Sequence, residues 1–541
     1  MNGLMMDVPL LISSLIRHAD RHHGDTEIVS KRVEGDLHRY TYREAHARAR
    51  CLAKALGRLG LKMHDRAGTL AWNGHRHFEI YYAVAGSGGV IHTINPRLFP
   101  DQIVYIANHA EDQVLFVDLT FLPLVEKVAP MLKTVKHYVL MTDRAHMPAK
   151  TAIPGLKCYE ELLAAENDQY EWPEFDERTA ACLCYTSGTT GNPKGVLYHH
   201  RSTILHAYGG ALPDVLNLSA RDVVLPVVPM FHVNAWGLPY SCAATGTKLV
   251  FPGPHLDGKS LNELFESERV TMSAGVPTVW LGLLNYMKEQ KLKFTTLKSV
   301  VIGGSACPPA MMKAFQEDYG VKVLHAWGMT EMSPLGSVAT LKEKHLRMPK
   351  EAQTAVLMKQ GRAPYGVDWR IVDENGKELP HDGKAFGDLQ VRGPWITSGY
   401  FKGEGGNPLR DGWFPTGDVC TIDADGYIQI TDRSKDVIKS GGEWISSIDL
   451  ENIAVAHPAV QEAAVIGIRH PKWDERPIIV AVKKAGQALT REELLKFYEG
   501  KIAKWWMPDD VVFVEELPHT ATGKLSKLTL REKFKDYRLP G

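Results

Sequence analysis

Four aliphatic hydroxyls, three glycines and one lysine crowd into the segment Tyr185-Thr-Ser-Gly-Thr-Thr-Gly-Asn-Pro-Lys-Gly195. Glycines let a backbone approach a ligand closely and turn its N–H groups inward. Hydroxyls and an ammonium add donors for phosphate oxygens, so this composition suits the cradling of a polyphosphate. Its residues Thr186, Ser187, Gly188, Thr189, Thr190, Gly191 and Lys194 are the first candidates for a ligand site. A polar surface turn between two strands is the alternative, because turns also use Gly, Asn and Pro. The phosphate pattern G-x-x-x-x-G-K-S/T fails, since Lys194 lies between Pro193 and Gly195, and the loop holds no G-x-G-x-x-G.

Other segments offer complementary chemistry. Met329-Thr-Glu331 sets a carboxylate beside a hydroxyl. The same three residues read equally as a helix N-terminus capped by its threonine. Thr416-Gly-Asp418 taken alone is a common turn. Lys524 carries a flexible ammonium, or is a solvated lysine in a charged tail. His232 has no second His, Cys or Asp at ligand spacing, so it does not read as a metal ligand. Trp236 taken alone reads as a core residue.

The 185–195 loop resembles the signature of the adenylate-forming (ANL) superfamily, which holds acyl-CoA synthetases, peptide-synthetase adenylation domains and firefly-type luciferases. Further segments resemble motifs of that family: Met230-Phe-His-Val-Asn-Ala-Trp236, Gly303-Gly-Ser-Ala306, His325-Ala-Trp-Gly-Met-Thr-Glu331, Trp413-Phe-Pro-Thr-Gly-Asp418, Asp432-Arg-Ser-Lys-Asp-Val-Ile-Lys-Ser-Gly-Gly-Glu443 and Thr522-Gly-Lys524. They stand in the family order across about residues 30 to 530. Val-Asn-Ala-Trp236 and Gly-Gly-Glu-Trp444-Ile-Ser are most similar to bacterial medium- and long-chain fatty acyl-CoA synthetases, a group that includes alkane-operon-type and methylmercaptopropionyl-CoA ligase-like enzymes.

The resemblance implies an ATP-dependent ligase. A carboxylate attacks the α-phosphate of ATP, pyrophosphate leaves with Mg²⁺, and the thiol of coenzyme A then takes the acyl group. It implies that 186–194 cradles the β- and γ-phosphates, that Glu331 holds Mg²⁺ and that Thr330 donates to the α-phosphate. Asp418 and Arg433 would reach the ribose. Gly304 and Ser305 would line one side of the adenine, with His325, Ala326 and Trp327 on the other, and Gly328 and Met329 would also contact the nucleotide. Lys524 would bridge the acid carboxylate and the α-phosphate, with His232 beside that carboxylate. Lys435 stands at the family's hinge. Rotation there would exchange Lys524 for a coenzyme A passage made by Lys439, Ser440, Gly441, Gly442, Glu443 and Trp444. Trp236 would gate an acyl pocket with Gly303, Val276 and Pro277. The acid expected is a medium- to long-chain fatty acid; a small or thioether acid such as 3-methylmercaptopropionate is the rival within the family, and a luciferase-like oxygenase the rival outside it.

Short β-branched runs at 66–71, 114–117, 137–140, 248–251 and 300–302 alternate with helical stretches such as 42–57 and 261–267. That alternation predicts α/β layers with largely parallel sheets. From about residue 366, Asp-Glu-Asn-Gly376, His-Asp-Gly383 and Asp-Ala-Asp-Gly426 signal hairpins. Beyond 432 the pattern predicts a helix over 447–456, strands over 460–467 and 477–482, a helix over 491–503 and a strand over 511–514. The expected fold class is therefore α/β: a large N-terminal domain of layered, parallel-rich sheets with a small β subdomain, 1–432, and a small α+β C-terminal domain, 433–541, which the family resemblance implies is mobile.

The chain has 541 residues, too many for one core. Lys+Arg and Asp+Glu are both 63, so nothing points to nucleic acid or an anionic membrane surface. Seven dispersed cysteines do not suggest a disulfide framework and read as buried free thiols of a reducing cytosol. Residues 10–16 read as a short amphipathic helix rather than a signal peptide, and no apolar run nears the ~20 residues of a membrane span. The expected partners are a small-molecule carboxylic acid, ATP and coenzyme A, and a cytoplasmic homodimer is expected.

Overall fold

The structure is a computed structural model that describes every residue except Asn2, 187–191, Gly442, 520–524, Pro540 and Gly541, and the side chains of Glu443 and Trp444. Of the sequence candidates, Ser187, Gly188, Thr189, Thr190, Gly191, Gly442 and Lys524 thus lie outside the described residues. The described chain divides into two compact units. One comprises 1–186, 192–368 and 392–408, the other 369–391 and 409–541.

In the first unit, one sheet runs in the order Lys157–Cys158, His137–Leu140, Asp112–Val117, Arg66–Leu70, Val90–Thr93, Ala180–Tyr185, Gly195–His199. All neighbours are parallel except the last pair, which is antiparallel. The second sheet carries Lys322–Gly328, Ser299–Ile302, Met272–Gly275, Val223–Pro226, Lys248–Phe251 and Glu27–Lys31 as parallel neighbours. Such strands, buried on both faces, need continuous apolar sequence, as in Lys248-Leu-Val-Phe251, whose last three residues are buried. Helix His75–Gly86 is buried at all twelve positions and packs against strands of both sheets. Tyr42 to Arg58 forms one helix, opened by a reciprocal Thr41/Glu44 cap.

The N-terminal helix departs from expectation. It spans Ile12–His23 rather than 10–16, with Leu11 extended before it. Ile12, Leu15, Ile16 and Ala19 are buried. The i, i+3, i+4, i+7 spacing thus continues past the polar residues Arg17, His18 and Asp20, which occupy the other face instead of ending the helix.

The second unit contains a meander of Asp368–Val372, Phe386–Arg392, Phe414–Ile422 and Tyr427–Arg433, whose last three strands pair antiparallel. The hairpin signal ending at Gly426 joins its last two strands. Further on, Val460–His470 and Asp474–Lys483 form a long hairpin, and Asp510–Phe513 pairs with the second strand in parallel. Alternation sorts its side chains. Val465, Ile479 and Ala481 face a core with Leu450 and Leu494, whereas Ala464, Ile466, Ile478 and Val480 face one with Leu517 and Leu530. The helix expected over 491–503 is Arg491–Tyr498 only, because Glu499 turns extended; a short 3₁₀ turn, Lys504–Trp506, follows. All seven cysteines are free, and all but Cys51 are buried. Among the described residues no helix is long and apolar enough to cross a membrane.

Candidate functional site

Four adjacent parallel strands of the second sheet end side by side, and each delivers candidate residues from its C-terminal end. Pro226 pairs with Ala274, Gly275 with Ile302, and Ile302 with His325. The continuations carry His232 and Trp236, then Val276 and Pro277, then Gly303 to Ser305, then Trp327 to Glu331. In open α/β sheets this edge is where ligands bind.

Thr330 and Glu331 are both buried. They open a 3₁₀ turn, Thr330–Met332, whose preceding residue is Met329 and which has no side-chain cap. The capping alternative for Thr330 therefore fails: the threonine lies inside the turn. Tyr198 Oη donates to the Thr330 carbonyl at 2.5 Å, and Thr397 N donates to the Glu331 carbonyl at 2.8 Å. Tyr400, which the sequence reading missed, donates its phenol to Glu331 Oε1 at 2.8 Å. Burial and the Glu331 carboxylate push the Tyr400 phenol far up, so it remains a donor. Lys194 Nζ sits 4.9 Å from the centroid of the same ring. The neck of the 186–194 loop is closed by Thr186 N to the Lys194 carbonyl at 2.9 Å and Lys194 N to Thr186 Oγ1 at 3.2 Å. One tyrosine thus links the loop lysine to the buried glutamate. A tyrosine after Gly399 carries no signal in sequence that would have singled it out.

His325 is buried. Its Nε2 accepts from Cys307 N at 3.3 Å, and its Nδ1 lies 3.0 Å from the Met358 carbonyl. Burial pulls its pKa down to about 4. Its imidazole faces backbone rather than open space, so it supports the 303–307 segment, and the strand beyond it presents Ala326 to Met329.

Around Trp236 the backbone is unusual. Val233, Asn234, Ala235 and Trp236 have φ of 46°, 53°, 49° and 56°, one turn of left-handed helix without glycine. Each such residue costs roughly 1–2 kcal/mol. Buried Asn234 anchors the turn: its Oδ1 accepts from Cys182 Sγ at 3.2 Å and from Cys184 Sγ at 3.5 Å, and its Nδ2 lies 3.4 Å from Tyr240 Oη. The two thiols point the same way from one strand, 3.7 Å apart. The turn lays the Trp236 ring on Gly303. A Cβ on Gly303 would stand 3.1 Å from Trp236 Cη2 and 3.1 Å from the Ala326 carbonyl oxygen, so only glycine fits there without displacement. Val276 Cγ1 likewise lies 3.2 Å from where a Gly304 side chain would begin. Trp236, Val276, Gly303 and Gly304 are therefore brought together, while Pro277 opens the helix Pro277–Glu289 next to them.

In the second unit, Asp418 and Arg433 face each other in register across a hairpin, and Arg433 Nε meets Asp418 Oδ1 at 3.0 Å. Asp418 is buried, whereas the arginine side chain is 46% exposed and also reaches the Thr416 carbonyl at 3.3 Å. The pair thus combines a fixed carboxylate with an accessible guanidinium. Lys435 is exposed in the turn that follows. Lys439 and Ser440 lie on strand Ile438–Ser440, paired with Trp444 and Glu443 of Glu443–Ile445. Gly441 takes φ +62° at the hairpin turn, its N donates to the Trp473 carbonyl at 2.8 Å, and a Cβ there would strike the Trp473 ring at 2.8 Å.

The comparisons with known proteins agree with this arrangement. The AMP-binding enzyme family model matches residues 15–401, and the AMP-binding enzyme C-terminal domain model matches 449–524. The chain belongs to the AMP-binding enzyme family and, within it, to the adenylate-forming acyl-CoA ligases. It is 57% identical to a 3-methylmercaptopropionyl-CoA ligase of Ruegeria lacuscaerulensis, over 99% of each chain. It is 53% identical to a medium-chain-fatty-acid–CoA ligase of Ectopseudomonas oleovorans, over 100% of this chain and 98% of the other. Against ATP-bound MatB of Rhodopseudomonas palustris the TM-score is 0.81 at 25% identity, covering 97% of this chain and 99% of that one. The two-domain α/β fold of such ligases, with a large N-terminal and a small C-terminal domain, is the fold of this chain.

Proposed function

We propose that this acyl-CoA ligase acts on medium- to long-chain fatty acids through two half-reactions. In the first, a carboxylate oxygen bonds to the α-phosphorus of ATP, the bond from that phosphorus to the α,β-bridging oxygen breaks, and pyrophosphate leaves. In the second, the thiol of coenzyme A attacks the acyl-adenylate carbonyl, the acyl C–O bond breaks, and AMP leaves as the thiol proton is lost. The observation that carries this reading is the convergence of Lys194, Tyr400 and Glu331, a cation and a fixed carboxylate at the mouth of a phosphate-type loop. The protein's part is to place charge where it develops.

Lys194 and the loop would hold the β- and γ-phosphates, and Thr330 would donate to the α-phosphate. Mg²⁺ fits Glu331, a buried hard-oxygen donor oriented by Tyr400, and when bound it would neutralise the departing pyrophosphate. Asp418 with Arg433 would hold the ribose. Lys524, Lys435 as hinge, the 439–444 coenzyme A segment and a domain boundary at 432/433 rest on the family motifs. Trp236 over Gly303 would close one wall of the acyl pocket. A cytoplasmic homodimer remains part of this reading.

A second reading is favoured by the 57% identity to a 3-methylmercaptopropionyl-CoA ligase. That acid is an apolar thioether close in length to pentanoate, so one pocket accommodates both. A panel of C2 to C18 acids plus 3-methylmercaptopropionate, scored by kcat/KM for thioester formation, decides. A maximum among C6 to C18 acids supports the first reading; a maximum at the thioether, above pentanoate, replaces it.

A further inference from the structure

Away from the ligase site, the tight turn between strands Glu27–Lys31 and Leu37–Thr41 brings Glu34 against the segment that follows strand His137–Leu140. Glu34, Asp143 and His146 each offer one ligand atom, all within 4.8 Å of one another. The Glu34 side chain is 1% exposed. Its Oε1 accepts from Arg76 at 2.7 Å and from Thr142 Oγ1 at 2.9 Å. Its Oε2 is buried and has no hydrogen-bond partner. An ionised carboxylate oxygen left buried and unpaired is costly, and a cation would satisfy it.

Charge points the same way. Arg32 is matched by Asp36, with contacts at 2.6 and 2.7 Å. Arg76 is matched by Glu160 at 2.8 Å, and Arg48 by Glu79 at 2.8 Å. Three arginines thus face five carboxylates, Asp36, Glu79, Glu160, Glu34 and Asp143, so the cluster holds more carboxylates than guanidiniums even though Glu34 shares Arg76. Asp143 also touches Arg32, at 3.3 Å, but that guanidinium is already held twice by Asp36. His146 Nδ1 lies 2.7 Å from Asp143 Oδ1, and its side chain is 44% exposed, so an incoming ion can reach the ring. Two carboxylate oxygens and one imidazole suit a borderline divalent ion such as Zn²⁺ rather than Mg²⁺. Ligand–ligand spacings in a tetrahedral zinc site are about 3.5 Å, so the three groups need to close by about 1 Å. The fourth position would open to solvent.

We propose that Glu34, Asp143 and His146 form a divalent-cation site of the zinc type, which ties the 32–36 turn to the 142–146 segment. It acts as a structural clasp and takes no part in the ligase chemistry.

The test uses the full chain and Zn²⁺ alone. Equilibrium dialysis gives the zinc count per chain, and melting curves give its effect, for wild type, His146→Ala and Glu34→Gln. The glutamine keeps an acceptor for Arg76 and Thr142, and the histidine is exposed, so both variants are expected to fold; their unchanged ligase activity in Mg²⁺ verifies this. Wild type should bind one more Zn²⁺ than either variant. Its melting temperature should rise by about 2 °C or more with zinc while theirs does not. The chain has 23 histidines and seven cysteines, and zinc held by the others would affect all three proteins alike. Equal counts and equal melting shifts in all three would overturn the proposal.

Discussion

Tyr400 Oη donates to Glu331 Oε1 at 2.8 Å, and both side chains come from turns rather than from the strands that frame the site. The phenol is the donor that orients this carboxylate, and the ring is the surface on which Lys194 rests. Tyr400→Phe keeps the ring and removes the donor. A hydrogen bond to a charged group contributes roughly 1.5–3 kcal/mol. The expected outcome is a rise of about tenfold in the KM for ATP·Mg²⁺, with little change in the KM for the acid. Tyr400→Leu should cost more, because Lys194 loses its platform too. If Phe and Leu variants behaved alike and only the melting temperature moved, the tyrosine would be a packing residue.

Glu331→Gln tests the carboxylate itself. The amide preserves an acceptor for Tyr400 but loses the negative charge that Mg²⁺ requires. Activity should fall mainly at low Mg²⁺, with the half-saturating concentration raised about tenfold or more. A titration with an unchanged half-saturation point refutes the ligand role.

Four buried histidines set an acid limit. Burial pulls the pKa of His206 and His200 down to about 3, and of His325 and His77 down to about 4. His206 Nε2 accepts from Leu335 N at 3.2 Å, a bond that exists only while the ring nitrogen is unprotonated. Unfolded histidines titrate near 6.5. Between pH 6.5 and about 4 the unfolded chain therefore binds more protons than the folded one, and stability must fall as pH falls. Each group contributes up to about 1.4 kcal/mol per pH unit in that window. The urea midpoint should drop steeply from pH 7 to pH 5. His325→Gln should flatten the slope by about one proton. A midpoint constant across that range would contradict the neutral buried rings.

The repeating chemistry of strands was legible. His137–Leu140 and Lys248–Phe251 coincide with the runs read from β-branched and apolar residues, since a buried parallel strand has no other composition available. Helix ends were less so: Tyr498 ends a helix whose apolar spacing continues, because the backbone at Glu499 departs from αR and nothing in Glu-Gly-Lys-Ile forbids continuation outright. Within the site, lysine, glutamate and aspartate stood out by type. What the sequence hid was how they are held. Tyr400 bonds across 69 positions, the Asn234 anchor depends on two thiols from a distant strand, and the left-handed turn at 233–236 is a tertiary imposition on residues that individually favour other backbone regions.

Lys524 belongs to the family motif Thr-Gly-Lys, and the two-pose reading gives it work in only one half-reaction. Lys524→Ala should lower acyl-adenylate formation by roughly 10²–10³-fold, the usual cost of losing a transition-state charge contact. Thioester formation from synthetic acyl-AMP should survive. Equal losses in pyrophosphate release and in the second step would remove the basis for two poses.

The contact of Trp236 with Gly303 separates a pocket wall from a core residue. Gly303→Ala inserts a methyl 3.1 Å from both Trp236 Cη2 and the Ala326 carbonyl oxygen. Backbone cannot yield easily there, so the indole must, and the left-handed turn that carries it has little slack. If the ring walls the acyl pocket, Gly303→Ala should push it inward and cut kcat/KM about tenfold for the longest acids accepted, while sparing the shortest. Trp236→Ala should do the reverse and extend the range toward longer chains. If the ring is only core, Trp236→Ala should instead cost several kcal/mol of stability, roughly 3–5, with the chain-length profile unaltered. Trp236 is only partly buried, and the turn beneath it is strained, which favours the first outcome. Chain-length profiles and melting temperatures measured on the same two variants distinguish the cases, and a large melting shift with no change in profile would end the role assigned to this ring.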